Sequence, residues 1–266
     1  MKYIFFAGMV FFLIIIPAAG PFAESSKIMS LCDLDYPSDN RIEWECLRLR
    51  RGDSPRKLFG VHWLDVLRFN RLDRRHFIAG LSIKVPARLE DIEEFTPMPE
   101  TYPDAEAEEK FILVDQSEMF LGAYEYGRLV FSFPVAVGIE GHRVPNGEFS
   151  IDAVDRGHES SLYRVENIGI PYPMHYGLRF FVDRSGNGWL SYWIHGRDLP
   201  GYPASHGCIG LCDEEMQKKV YHEPRNVILE DAKTLYEWVI GSHADNGRFH
   251  RISYGPRVLI IGTPPI

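Results

Sequence analysis

The sequence predicts a mainly β protein, a sandwich or partly closed barrel, preceded by a small strand–helix–helix–strand unit. Three observations point there. Gly 23 and Pro 18 supply 41 turn-formers, which suits many short strands better than a helical bundle. Past residue 110 the apolar runs are short and bounded by turn residues, and in that half only Asp213–Val220 and Lys233–Ile240 read as helices. Alternation followed by two helical stretches and a second alternation marks the smaller unit in residues 42–87. At 266 residues, 45% hydrophobic and 13% aromatic, the chain can bury a sizeable core in two domains, and it is neither disordered, collagen-like nor an extended coiled coil. Lys+Arg 29 against Asp+Glu 37 leaves a net charge of −8 with no basic run, which excludes nucleic acid as a partner.

Residues 1–23 read as a signal peptide or an N-terminal anchor. Lys2 precedes an apolar run from Tyr3 to Ile16, followed by Pro17, Ala18, Ala19 and Gly20. The run is shorter than the roughly 20 apolar residues a bilayer-spanning helix needs. Pro21 is a poor neighbour for cleavage after Gly20 or after Ala23, so the anchor stays open beside the cleaved signal. Either way the protein is expected outside the cytoplasm, where thiols meet oxidants. Cys32 and Cys46 lie close together near the start of the exported chain and are expected to pair. Cys208 and Cys212 stand four apart where a helix is predicted to begin, a spacing that would strain a bridge. Cys208 is therefore expected to be a free thiol and Cys212 a buried apolar filler.

Within residues 42–87, alternation around Glu45–Arg50 predicts a strand, Gly52-Asp53-Ser54 with Pro55 a helix start, and Trp63–Asn70 a second helix. Ile78–Val85 alternates as the closing strand. This unit resembles a LysM module through Gly52-Asp53, Asn70-Arg71-Leu72 and Gly80-Leu81-Ser82-Ile83-Lys84-Val85-Pro86. The resemblance implies binding to the N-acetylglucosamine-containing glycan of peptidoglycan; a packing domain without sugar affinity is the plain alternative.

Residues 88–110 are rich in Glu and Pro with few apolar side chains, and read as an extended acidic linker. Strands are then expected at Phe111–Asp115, Met119–Tyr126, Leu129–Val137, Phe149–Val154, Leu178–Val182, Trp189–Trp193 and Asn226–Leu229. They assign residues 111–230 to one domain. Residues 231–266 form a C-terminal extension in which Arg257–Ile261 reads as a strand able to join the same sheet.

Chemistry concentrates in Tyr192-Trp193-Ile194-His195-Gly196-Arg197 and Ala204-Ser205-His206-Gly207-Cys208-Ile209-Gly210-Leu211. A cysteine nucleophile attacks as the thiolate and needs a base to take its proton. His195, at a strand end, is the candidate base. Cys208, expected where a loop turns into a helix, would have its pKa lowered by free backbone N–H groups. The N–H groups of His206, Gly207 and Cys208 are candidate oxyanion donors, and Gly207 permits the tight turn. His142, His158 and His175 fall in loops, where a solvated histidine is expected, and Tyr192 and Trp193 read as core.

These residues resemble the L,D-transpeptidase (YkuD-like) catalytic domain. His195-Gly196 and Ser205-His206-Gly207-Cys208 match its signature. Phe133-Pro134-Val135-Ala136-Val137-Gly138, Val144-Pro145-Asn146-Gly147-Glu148-Phe149 and Pro171-Tyr172-Pro173-Met174 through Arg179-Phe180-Phe181 match the segments before it. The resemblance implies a β-sandwich capped by a short helix, located in the periplasm or cell envelope. Cys208 would attack a tetrapeptide stem of peptidoglycan, expel D-alanine and pass the acyl group to an amine of another stem or of an envelope protein. His195 would act as base and acid with its ring oriented by the Gly196 carbonyl, and no metal or cofactor is called for. Two departures stand out. The loop from His195 to Ser205 is short, and Gly210 occupies a position that is usually arginine in the family. If that arginine grips a substrate carboxylate, Arg197 is the candidate to replace it, beside Ser205, His206 and Gly207 in the substrate set. Rival readings are a zinc site of His195, His206, Cys208 and Cys212, a non-catalytic wall anchor, and a peptidase that uses water as acceptor.

Overall fold

The computed structural model describes residues 29–186 and 188–265, so the segment read as a signal peptide or anchor lies outside the described residues. Among the described residues no helix is long and apolar enough to cross a membrane.

The N-terminal unit opens with two 3-10 turns, Leu31–Asp33 and Pro37–Arg41. It continues as β1 (Trp44–Arg48), α1 (Pro55–Phe59), α2 (Trp63–Phe69) and β2 (Ser82–Pro86). β1 and β2 pair antiparallel, Trp44 opposite Pro86 and Arg48 opposite Ser82. Pro55 sits in the first turn of α1, where its missing N–H costs nothing. Asn70 ends α2: its side-chain amide donates to the Val66 carbonyl (2.9 Å) and the Lys84 carbonyl (2.7 Å), and its oxygen accepts from Lys84 N (2.8 Å). One side chain thus ties the helix end to the closing strand. Cys32 and Cys46 form a disulfide.

The rest of the chain gives β3 (Phe111–Asp115), β4 (Phe120–Glu125), β5 (Arg128–Pro134), β6 (Gly147–Ser150), β7 (Ala153–Asp155), β8 (Glu159–Arg164), β9 (Pro171–Pro173), β10 (Gly177–Asp183), β11 (Leu190–Arg197) and β12 (Ile209–Cys212). Then come α3 (Glu214–Tyr221), α4 (Asp231–Ile240), β13 (His250–Arg251) and β14 (Arg257–Ile261). Two five-stranded sheets, ordered β5-β4-β3-β14-β6 and β12-β11-β10-β7-β13, make the sandwich, and among the described residues β8 and β9 pair only with each other. Between the sheets, Phe149 of β6 packs its ring 5.4 Å from Phe180 and 5.1 Å from Phe181 of β10. The fold is therefore the mainly β sandwich with short helices that the turn-rich composition indicates.

Several elements differ from the sequence reading. The run Phe149–Val154 is two strands, because the chain leaves one sheet after Ser150 and enters the other at Ala153. Asn226–Leu229 is not a strand; the Ile228 and Leu229 N–H groups instead donate to the Glu214 carboxylate at 2.6 and 2.9 Å. Residues 88–110 are not a free tether. Ile92, Phe95, Met98 and Ala105 are buried, and Phe95 packs edge-on to Phe69 of α2 (5.2 Å) and Phe120 of β4 (5.9 Å), joining the two halves. Single apolar residues spaced between Pro and Glu suffice to anchor an extended segment. The segment after residue 230 is likewise integral: β14 lies between β3, parallel, and β6, antiparallel, so the sheet continues to Ile261.

Candidate active site

β11 and β12 pair in parallel, with Ile194 opposite Ile209 and His195 opposite Gly210. The loop from Asp198 to Cys208 crosses between them. It is held by backbone bonds to the chain after β5: Ala204 N and Ser205 N donate to Val137 O at 3.1 and 2.9 Å, and Ile139 N donates to Ser205 O at 2.9 Å. One residue before the paired register, Cys208 falls beside Trp193. Cys208 and His195 line one cavity of about 480 Å³, together with Arg197, Ser205, His206 and Gly207. Of the catalytic and substrate candidates Cys208, His195, Gly196, Arg197, Ser205, His206 and Gly207, all but Gly196 line this cavity.

The cysteine does not begin a helix. Ile209–Cys212 is a strand, and α3 starts only at Glu214, where Asp213 caps it by accepting from Met216 N at 2.9 Å. With no helix N-terminus at the sulfur, burial decides its state. Burial pushes the Cys208 thiol up to about 11, against the opposing pull of the Trp193 backbone and the Arg197 charge. The expected thiolate is a protonated thiol in the resting site.

His195 is buried, and its Nδ1 lies 2.8 Å from the Gly196 carbonyl oxygen. A carbonyl only accepts, so Nδ1 carries the proton and Nε2 is the free base. Burial lowers the imidazole pKa to about 3; the Gly196 bond opposes this, and the charges of Arg197, His158 and His175 reinforce it. The pair at rest is uncharged on both sides.

Ser205 is buried, and its Oγ accepts from Cys208 N at 3.1 Å. That bond closes the Ser-His-Gly-Cys turn and occupies the Cys208 N–H, which corrects its assignment as an oxyanion donor. His206 N and Gly207 N donate to no described residue. Gly207 holds φ +114, a conformation side chains rarely adopt. Tyr163 stacks on the His206 ring at 4.7 Å and His142 meets its edge at 5.0 Å.

Arg197 explains Gly210. A Cβ built at Gly210 would stand 1.8 Å from Arg197 Cδ and 2.1 Å from its Cγ. The arginine on one strand fills the space that a side chain on the neighbouring strand would take. Its guanidinium is steadied by the Asp198 carbonyl (3.1 Å) and the Ala204 carbonyl (3.2 Å).

His158 and His175 are half-buried. His158 stacks on Trp193 at 4.1 Å beside the cavity, and His175 Nδ1 lies 3.6 Å from Asp213 Oδ2. Trp193 is buried as expected, and Tyr192 packs against the core; both also line the cavity, Tyr192 beneath Gly207. Cys212 is fully buried with Ala136 and Leu199, and no three of His195, His206, Cys208 and Cys212 come within ligand distance of one another among the described residues. Tyr172 and Met174 also line the cavity; they belong to a run the sequence singled out without assigning it a role. Tyr163, Leu162 and Trp189 line it as well, and the sequence reading gave none of them a part in the site.

The family model of the YkuD L,D-transpeptidase catalytic domain matches residues 109–260. The chain belongs to this family. Solved structures resemble it at low identity. An L,D-transpeptidase from Mycobacterium smegmatis is 15% identical, covering 57% of this chain and 58% of its own, with a TM-score of 0.37. An L,D-transpeptidase from Stackebrandtia nassauensis is 19% identical over 78% and 69% of the two chains, with a TM-score of 0.39. One from Xylanimonas cellulosilytica is 21% identical over 74% and 77%, also with a TM-score of 0.39. The chain spans 58% of the length of the M. smegmatis protein and 62% of that of L,D-transpeptidase 1 from Mycobacterium tuberculosis. No curated protein matches it by sequence. The L,D-transpeptidase domain so defined includes β14, in agreement with its place inside the sheet.

Proposed function

We propose that this L,D-transpeptidase domain acylates Cys208 with a tetrapeptide stem of peptidoglycan and transfers the acyl group to an amine. The observation that carries the reading is the shared cavity, lined both by a free thiol and by an imidazole whose Nδ1 proton is committed to Gly196 O at 2.8 Å. His195 Nε2 takes the thiol proton as Sγ attacks the carbonyl of the stem's diamino acid. The N–H groups of His206 and Gly207 receive the oxyanion. On collapse the C–N bond to the terminal D-alanine breaks, and the proton passes from His195 to its amine. An incoming amine from a second stem or an envelope protein then gives up its proton to His195, forms the new amide and restores the thiol. Because thiol and imidazole are both neutral at rest, ionisation is coupled to attack. Arg197 meets a carboxylate of the stem, in the place Gly210 vacates.

The N-terminal unit has the strand–helix–helix–strand order of a LysM module and would hold the glycan of the same polymer, and export to the periplasm or cell envelope would bring the protein to it. The reading is tested by mass spectrometry. A carbapenem is expected to add its mass to the folded, reduced protein, and Cys208→Ala to abolish the adduct. Muropeptides incubated with and without an amine acceptor are expected to give the new amide only with it. Stem cleavage at the same rate without acceptor would assign the acyl group to water.

A further inference from the structure

Between α2 and β2 the chain turns back along the L,D-transpeptidase domain, and consecutive residues of that turn bind it. Arg71, fully buried, places Nη2 3.0 Å from Glu118 Oε2 and donates from Nε to the Glu118 carbonyl at 2.9 Å. Leu72 bridges to Pro200. Arg74 holds Glu214 of α3 with two bonds of 2.5 Å. Arg75 reaches Asp198 from Nε (3.2 Å) and Nη2 (3.0 Å). The centre of the strip is Asp73, whose carboxylate is fully buried.

Asp73 and Leu199 bond in both directions: Asp73 N donates to Leu199 O at 2.8 Å and Leu199 N to Asp73 Oδ2 at 2.7 Å. Gln217 Nε2 donates to the same oxygen at 2.8 Å, and Oδ1 accepts from His76 N and Nδ1, both at 2.8 Å. Asp73, His76 and Asp198 lie close enough to suggest a cation site, but these donors and Arg75 already occupy them. A buried carboxylate is retained where such bonds offset its desolvation. Leu199 follows Arg197 by two residues, and Asp198 between them accepts from Arg197 Nε through its carbonyl and from Tyr172 of the cavity wall at 3.2 Å.

We infer that Asp73 is a positioning residue for the acyl-transfer site: with Arg75 it braces the Asp198–Leu199 turn from behind and so fixes where the Arg197 guanidinium stands in the cleft. This rests on the reading of Arg197 as the group that meets a stem carboxylate. The N-terminal unit is thereby part of the site's framework, whatever it binds on its own surface.

The test uses the full chain with Asp73→Asn, Arg75→Gln and Arg197→Gln, and two donor stems, one with its C-terminal carboxylate free and one amidated. Wild type is expected to favour the free carboxylate and R197Q to lose that preference. Asn keeps the size of Asp73 but turns an N–H₂ toward two of its donors, so D73N is expected to raise KM for the free-carboxylate stem by roughly tenfold with kcat unchanged. KM for the amidated stem is expected to stay as in wild type. R75Q, which keeps Asp73, is expected to shift KM in the same direction by less. Alkylation of Cys208 by iodoacetamide, unchanged in D73N and R75Q, reports an intact pocket. Preference present in wild type and lost in R197Q, but undiminished in folded D73N and R75Q, overturns this inference alone. If D73N does not fold, an undiminished preference in R75Q overturns it. Equal use of both stems by wild type, or R197Q without effect, overturns the reading of Arg197 and this inference with it.

Discussion

The state of the sulfur and the imidazole sets the pH behaviour of the site. With the Cys208 thiol near 11, the thiolate fraction at neutral pH is small and grows with alkalinity. Alkylation of substrate-free protein by iodoacetamide should accelerate about tenfold per pH unit from about pH 6 to 9 without levelling. A plateau below pH 8 would mean an ionised resting cysteine. His195 acts on stability. Its folded pKa of about 3 lies below the unfolded 6.5, so its stabilising effect is complete above 6.5 and fades as pH falls toward 3, by up to roughly 5 kcal/mol. Denaturant melts across that range should show this acid limb, and His195→Gln should flatten it. Gly210 is the third sensitive position. Gly210→Ala forces a methyl against Arg197 Cδ and should cost roughly 1–3 kcal/mol by thermal melting, whereas adding Arg197→Ala should recover most of it. At this scale the sequence was informative where chemistry demands a residue type. His195, Cys208 and the Ser205–Gly207 turn were legible as residues that gather at one cavity, because the chemistry expected of a nucleophile, a base and a tight turn leaves few alternatives. The protonation state was not, because it depends on burial that no local string encodes.

Elements were legible where alternation and turn residues agreed. Phe111–Asp115 and Arg257–Ile261 are strands as read, and helices lie within two residues of where the periodicity put them. Three misreadings have physical causes. Ile209–Cys212 is only four residues long, too short for its period to show beside the true helix start at Asp213. Phe149–Val154 alternates straight through the step from one sheet to the other. Asn226–Leu229 is apolar enough for a strand, but a buried carboxylate takes its N–H groups. The β8–β9 hairpin went unseen because Glu159–Arg164 is almost wholly exposed and lacks a buried face. That isolation has a dynamic consequence. A two-stranded hairpin carrying exposed Leu162 and Tyr163 and paired with no other strand should open far more readily than the sheet behind it. Hydrogen exchange should be fast in residues 159–173 and slow in β10 and β11; equal protection would show the hairpin to be as rigid as the sandwich.

Over the whole molecule, one hydrophobic core runs from Leu31 through Phe69 and Phe95 to Phe120, Tyr236 and Ile260. Composition allowed two domains, and the sequence reading placed an extended acidic linker between them. Long-range packing of that kind is invisible in a segment whose own composition is acidic and Pro-rich. Excising residues 29–87 would strand Glu118 without Arg71, a loss of roughly 3–5 kcal/mol for a buried pair, and would uncover Phe95 and Phe120. A chain starting at residue 88 should therefore unfold without a cooperative transition and lose its near-UV circular dichroism; a sharp melt would show the second half to be self-sufficient.

The protonated sulfur bears on how such a protein endures. Peroxides and foreign disulfides consume thiolates far faster than thiols. A cysteine that stays un-ionised, as Cys208 does at neutral pH, is shielded from them by chemistry alone. Under the proposed function, shelf life and readiness are then set by the same burial, and loosening the pocket to speed attack would shorten the time the thiol survives idle.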